Sequence, residues 1–84
     1  GPQIENPGEY LDRYIAHRLA REAKVFQALP TGSAAMPEEL LPVVYADTPE
    51  GMHPIAARSL QAHLEKLVGD GRVVEQDGGY RSLD

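Results

Sequence analysis

The chain contains no cysteine, which excludes a disulfide framework, a thiol nucleophile and a zinc–thiolate site. It has no apolar run approaching the ~18 residues that cross a bilayer, and no basic segment followed by an apolar one at its start. These absences predict a cytoplasmic protein with no membrane partner. Basic residues are scarce too, with 8 Lys and Arg against 13 Asp and Glu for a formal net charge of −5. That balance works against nonspecific nucleic-acid binding, whose affinity comes mainly from cations on phosphates. The catalytic signatures are missing as well: no GxSxG elbow, no Walker loop, no GxGxxG and no HExxH. His53 and His63 lie on one helix, about 15 Å apart along its axis, so with His17 they do not make a convergent metal site. Composition and spacing alone support a binding or structural module that carries no cofactor and no catalytic residue.

What is present is an ordinary globular composition, 42% hydrophobic and 25% charged over 84 residues. A chain of this size forms one domain and buries about 60 to 65% of its extended surface. The longest uninterrupted stretch, Glu9 to Leu29, has no internal Gly or Pro. At about 100° per residue, Leu11, Tyr14, Ile15, Leu19, Val25, Phe26 and Leu29 fall on one face, the pattern of an amphipathic helix. Arg18 and Glu22 interrupt that stripe one helical turn apart, where a helix pairs side chains. Either both snorkel from an edge of the core, or they form a desolvated ion pair at a junction between two packing surfaces. Ala16, Ala20 and Ala23 leave a smooth far side for close approach by a second body. Arg13, His17, Arg21 and Lys24 line up between the two faces.

Residues 1–8, rich in Pro and Gly, read as an extended lead-in with Asn6 or Gly8 near the first cap. Pro30 and the Thr31-Gly32-Ser33 turn end the first helix, and Ser33 to Ala35 fit a very short strand. Pro37 opens a second helix with Glu38 and Glu39 at the positive end of its dipole. Leu40, Leu41 and Val44 supply its buried side, and Pro42 predicts a kink or a late start. After the Asp47 to Gly51 turn, His53-Pro54 starts a third helix running to about Val68, with Gly69 as a left-handed terminator. Ala56, Leu60, Leu64 and Leu67 share one face of it with His63, which is expected to be a hydrogen-bonded core residue. The outward face offers Arg58, Gln61, Ala62 and Glu65, poor material for reading bases. Arg72 to Glu75 and Tyr80 to Leu83 flank Gln76-Asp77-Gly78-Gly79, a hairpin signal. The fold class is therefore mainly α with a small β-hairpin: a winged helix of three helices plus a wing, over residues 9–84.

Tyr14 to Val25, YIAHRLAREAKV, and Tyr45 to Val73, YADTPEGMHPIAARSLQAHLEKLVGDGRV, resemble the C-terminal winged-helix domain of metallo-beta-lactamase-fold hydrolases, the beta-lactamase-like protein family. The resemblance covers nearly the whole chain through His17-Arg18, Arg21-Glu22, the Tyr45 and Pro49 turn, and Ala62-His63-Leu64 with Lys66-Leu67. Gly1-Pro2 has two readings: the end of that family's Gly-His-Gly-Pro turn, whose His is a metal ligand, or a scar of tag cleavage. The family's HxHxDH motif has no counterpart here, so no metal or catalytic residue carries over. The resemblance implies a non-catalytic accessory domain of a hydrolase whose own cofactor is zinc. Its first partner would be the catalytic domain of the same chain, against which it packs, helping to shape substrate access or dimerisation in a homodimer. His17, Arg18, Arg21, Glu22 and His63 are the interdomain or structural candidates. The alternative is a DNA-binding winged helix of a transcription regulator.

Overall fold

The computed structural model describes residues 6–83. Helix α1 spans Pro7–Ala28, α2 Pro37–Val44 and α3 His53–Gly69, followed by strands β1 Val73–Gln76 and β2 Gly79–Ser82. The start of α1 is set by Asn6, whose side-chain oxygen accepts from the Gly8 N–H at 2.8 Å, with Pro7 at the first helical position. Pro7 and Gly8, expected in the lead-in, are therefore helical; Gly1-Pro2 lies outside the described residues.

Helix α2 begins at Pro37, where the Glu39 carboxylate reaches back to accept the Met36 N–H at 2.9 Å. There is no late start. The helix runs through Pro42 to Val44, because Pro42 is exposed and stands only one turn inside, so its missing N–H strands no buried group. A 3-10 turn over Glu50–Met52 leads into α3.

The left-handed residue after α3 is Gly71 (φ 75°), not Gly69, which still belongs to the helix. Asp70 caps, the Arg72 N–H bonds back to the Leu67 carbonyl at 3.1 Å and the Gly71 N–H to that of Val68 at 3.0 Å. The terminator is thus displaced by two residues along the chain, where backbone carbonyls can be satisfied by a turn that only glycine enters without strain.

The hairpin pairs Val73 with Ser82, Val74 with Arg81, Glu75 with Tyr80 and Gln76 with Gly79. Its two-residue turn has positive φ at both Asp77 (53°) and Gly78 (82°), matching the twist of the flanking strands. The short strand expected near Ser33 to Ala35 is reduced to one bridge, in which Ala35 and Tyr80 exchange N–H···O bonds of 2.9 and 2.8 Å.

Val25, Leu60, Leu64 and Leu67 form the fully buried centre, enclosed by Leu29, Leu40, Val44, Tyr45, Ala56, Val73 and Tyr80. The Tyr80 hydroxyl accepts from Gln61 Nε2 (2.9 Å) and donates to the Glu75 carboxylate (3.2 Å), tying wing to α3. Arg72 stacks on Phe26 with 4.0 Å from its guanidinium carbon to the ring centroid, tying wing to α1. Three helices around one core with a hairpin closing it make the winged helix expected from the element order.

The molecule is longer than its core requires. Its radius of gyration is 14.9 Å, against about 12 Å for a compact chain of this length. The excess lies in α1, whose 22 residues reach about 33 Å. Every residue from Asn6 to Ala20 is exposed, and burial starts only at Arg21.

Candidate functional site

Only the second half of the α1 stripe enters the core. Val25 and Leu29 are buried and Phe26 packs against them. Tyr10, Leu11, Tyr14, Ile15 and Leu19 remain between 45 and 61% exposed, on an arm that runs past the rest of the domain. The helical repeat places Leu11, Tyr14, Ile15 and Leu19 on the same side as the buried residues, so the stripe is continuous and half of it is uncovered.

The candidate residues fall on either side of that boundary. Arg21 is a clamp within the domain. Its Nη1 donates to the Val44 carbonyl at 2.7 Å, and it meets the Asp47 carboxylate through two bonds of 3.0 and 3.2 Å. Its guanidinium also lies 4.7 Å from the centroid of the Tyr45 ring. The hydrogen bonds from Arg21 hold the Asp47 carboxyl down to about 2, and the same bonds raise the Arg21 pKa.

Glu22 turns to α3 rather than along its own helix. Its carboxylate sits 3.2 Å from Lys66 Nζ, which also meets Asp70 at 2.7 Å. The Asp70 and Glu22 bonds raise the Lys66 pKa, in that order of size. The desolvated Arg18–Glu22 pair is therefore not the arrangement found, because α3 brings an ammonium group to Glu22 while Arg18 stays exposed on the arm.

His63 is buried, at 5% exposed. Burial is the main cause that lowers its pKa; Arg18, Arg21 and Lys66 push the same way, and Glu22 opposes them. Among the described residues its ring makes no hydrogen bond, contrary to the hydrogen-bonded core histidine expected. His17 is exposed and borders a shallow groove on the arm with Tyr10, Arg13 and Tyr14. His53 is used locally, its Nε2 donating to the Thr48 carbonyl at 3.2 Å.

Three residues outside the candidate set matter to this face. Lys66, Arg58 and Ile55 line the clefts between α1 and α3 with Arg18 and His63. The signal for them was their position on α3 one helical turn from His63 or from one another, which acquires meaning only once α1 is laid against that side. Among the described residues no group of three or more His, Asp or Glu side chains could hold a metal ion. The zinc implied by the resemblance does not fit this domain, since its histidines are dispersed over an arm, a helix start and a core.

The exposed side of α3 is near neutral: Arg58 and Ala62, which also line the cleft to α1, and Glu65 are exposed, while Gln61 is engaged with Glu65 and Tyr80. No helix among the described residues is long and apolar enough to cross a membrane.

The helix order, the bridged hairpin and the unread outer face of α3 define a winged-helix domain with its available surface on α1. Residues 37–81 match the sequence profile of the family described as beta-lactamase associated winged helix domain, and the chain belongs to that family. Two curated relatives are similar over most of it. The beta-lactamase-like protein 2 homolog of Caenorhabditis elegans is 33% identical over 73 residues, covering 87% of this chain and 25% of the relative. That of Drosophila melanogaster is 33% identical over 75 residues, covering 87% and 26%. The chain thus spans about a quarter of the length of these relatives.

Proposed function

We propose that this winged helix is the non-catalytic accessory domain of a longer metal-dependent hydrolase of the metallo-beta-lactamase fold. It packs on the catalytic part through the uncovered half of the α1 stripe and so helps to shape substrate access, with a contribution to dimerisation as a second use of the same arm. The metal, zinc, belongs to the catalytic part. The observation that carries this reading is the arm itself, with five large apolar side chains in solvent. Uncovered apolar area of this kind, contiguous along one helix, is what an interface leaves behind when one side is taken away. That this chain covers only about a quarter of each relative supports a partner within a longer chain. A DNA-binding role is disfavoured by the near-neutral outer face of α3 and by the net charge of −5.

The test uses the longer natural chain. Its residues preceding Gly1 should contain an HxHxDH motif. In that chain, joint replacement of Leu11, Ile15 and Leu19 by Ser is expected to leave the cooperative core transition of the domain in place and to enlarge the radius of gyration seen by small-angle scattering. An unchanged radius with the domain still folded would defeat the proposal.

A further inference from the structure

Among the described residues, none that lines the cleft between the arm and α3 is acidic. It encloses about 460 Å³ and is lined by Tyr14 and Arg18 from α1 and by Ile55, Arg58, Ser59 and His63 from α3. Two guanidinium groups and a histidine ring thus border one space, in a chain whose net charge is −5. Among the described residues neither arginine forms an ion pair, and Glu22, which shares the adjoining cleft with Arg18, is used on Lys66. Arg18 and His63 are shared with a smaller cleft of about 160 Å³, where Ile15 and Leu19 border the Glu22–Lys66 pair. The cationic centre therefore has apolar shoulders on both sides.

Arg18 sits in the middle of the stripe that docking would cover. Removing a guanidinium from water without a counter-charge is strongly unfavourable, and Arg58 facing the same space adds like-charge repulsion that low polarity strengthens. An apolar partner surface alone would not settle on this face. We propose that the partner surface inserts an Asp or Glu side chain between Arg18 and Arg58, flanked by apolar side chains that cover Tyr14, Ile15, Leu19 and Ile55. The occupant is the catalytic part of the same longer chain, so the inference rests on the reading given above. A guanidinium fork matches a carboxylate geometrically. A nucleic-acid phosphate would match it too, but the apolar shoulders and the acidic chain favour a protein surface.

Zero-length carbodiimide coupling in the longer chain tests this directly, since the reagent joins an amine only to a carboxylate in contact with it. R18K and R58K keep the positive charge and introduce that amine at exposed positions. Peptide mapping should find the new amine of at least one variant joined to an Asp or Glu preceding Gly1, with the Lys66 links to Glu22 and Asp70 as the internal control. Absence of any such link in both variants overturns the proposal, as does a link that crosses between copies in a mixture of isotopically labelled and unlabelled protein, or coupling abolished by a nucleic-acid oligomer. R18E with R58E should accelerate amide exchange over residues 10–19 by at least about tenfold. If those amides are slower in the longer chain than in the 84-residue chain and the double reversal leaves them so, docking stands and the carboxylate is wrong. If they exchange equally fast in both chains, the docking reading itself has failed.

Discussion

The hydroxyl of Tyr45 is buried and has no hydrogen-bond partner among the described residues, while its ring is held under Arg21. A buried hydroxyl without a partner costs about 1 to 3 kcal/mol of desolvation, and Phe keeps the ring contact. Tyr45→Phe is therefore expected to be neutral or to stabilise by about 1 kcal/mol, read as a rise in the urea midpoint; a clear loss would mean the hydroxyl is bonded. His63 gives a pH dependence with the opposite feel. Its folded pKa is lowered, chiefly by burial, so below the ordinary imidazole value of about 6.5 the unfolded chain binds a proton that the folded one resists. Stability is then present above that value and falls as pH drops through it toward the folded pKa. Arg18, Arg21, Lys66 and Glu22 all act on the ring, and only Glu22 favours the charge. Unfolding at pH 7.5 and 5.5 should show a decrease in the native chain that His63→Gln lacks, and equal slopes in both would refute it. The burial of His63 was legible from its place among Ala56, Leu60, Leu64 and Leu67. The partner of Glu22 was not. A four-residue spacing is a rule of one helix surface, whereas Lys66 arrives from 44 positions away, and no local pattern encodes which neighbouring helix will approach.

At the scale of elements, the wing meets the segment between α1 and α2 through its backbone, besides the side-chain ties that Tyr80 and Arg72 make to α3 and α1. A Cβ on Gly79 would stand 2.9 Å from the Ala34 Cβ and 3.1 Å from the Ala35 carbonyl oxygen, at the place where the Ala35–Tyr80 bridge closes. Gly79→Ala should thus part the bridge and cost about 1 to 3 kcal/mol, with faster amide exchange at Ala35 and Tyr80 as the local readout. Unchanged protection there would show that the strands can shift at no expense. The hairpin itself was plain from Asp77-Gly78 between two β-rich runs. The length of the strand facing it was not, because a single bridge leaves no alternation to read. Pro42 did not delay the start of α2 for a related reason: its penalty depends on whether its surroundings are buried, and residue type alone says nothing of that. The first helix was legible in extent and in face. Periodicity tells which side of a helix is apolar, but the portion that finds cover is decided by how closely α2 and α3 approach, and before Arg21 α3 leaves only open clefts beside it.

Over the whole molecule, that uneven cover divides α1 into a seated half and an arm without tertiary support. Helix formation in water is cooperative with a costly nucleus, and stretches under about 12 to 15 residues are marginal alone. In the 84-residue chain the seated turns from Arg21 to Ala28 supply the nucleus, and the arm can only be zipped on from them, one residue at a time. Such a zipper does not melt all at once. Circular dichroism at 222 nm should lose intensity along a steep, sloping baseline well below the cooperative transition, while near-ultraviolet signals of the core stay flat. Ala20→Gly should steepen that slope and leave the transition itself almost unmoved. Coincident, single-step loss of both signals would mean that the arm is held by contacts of its own. Alone, then, the domain behaves as a folded body carrying a helix–coil transition at one end, and its helicity is a graded quantity that a covering surface would turn into a cooperative one.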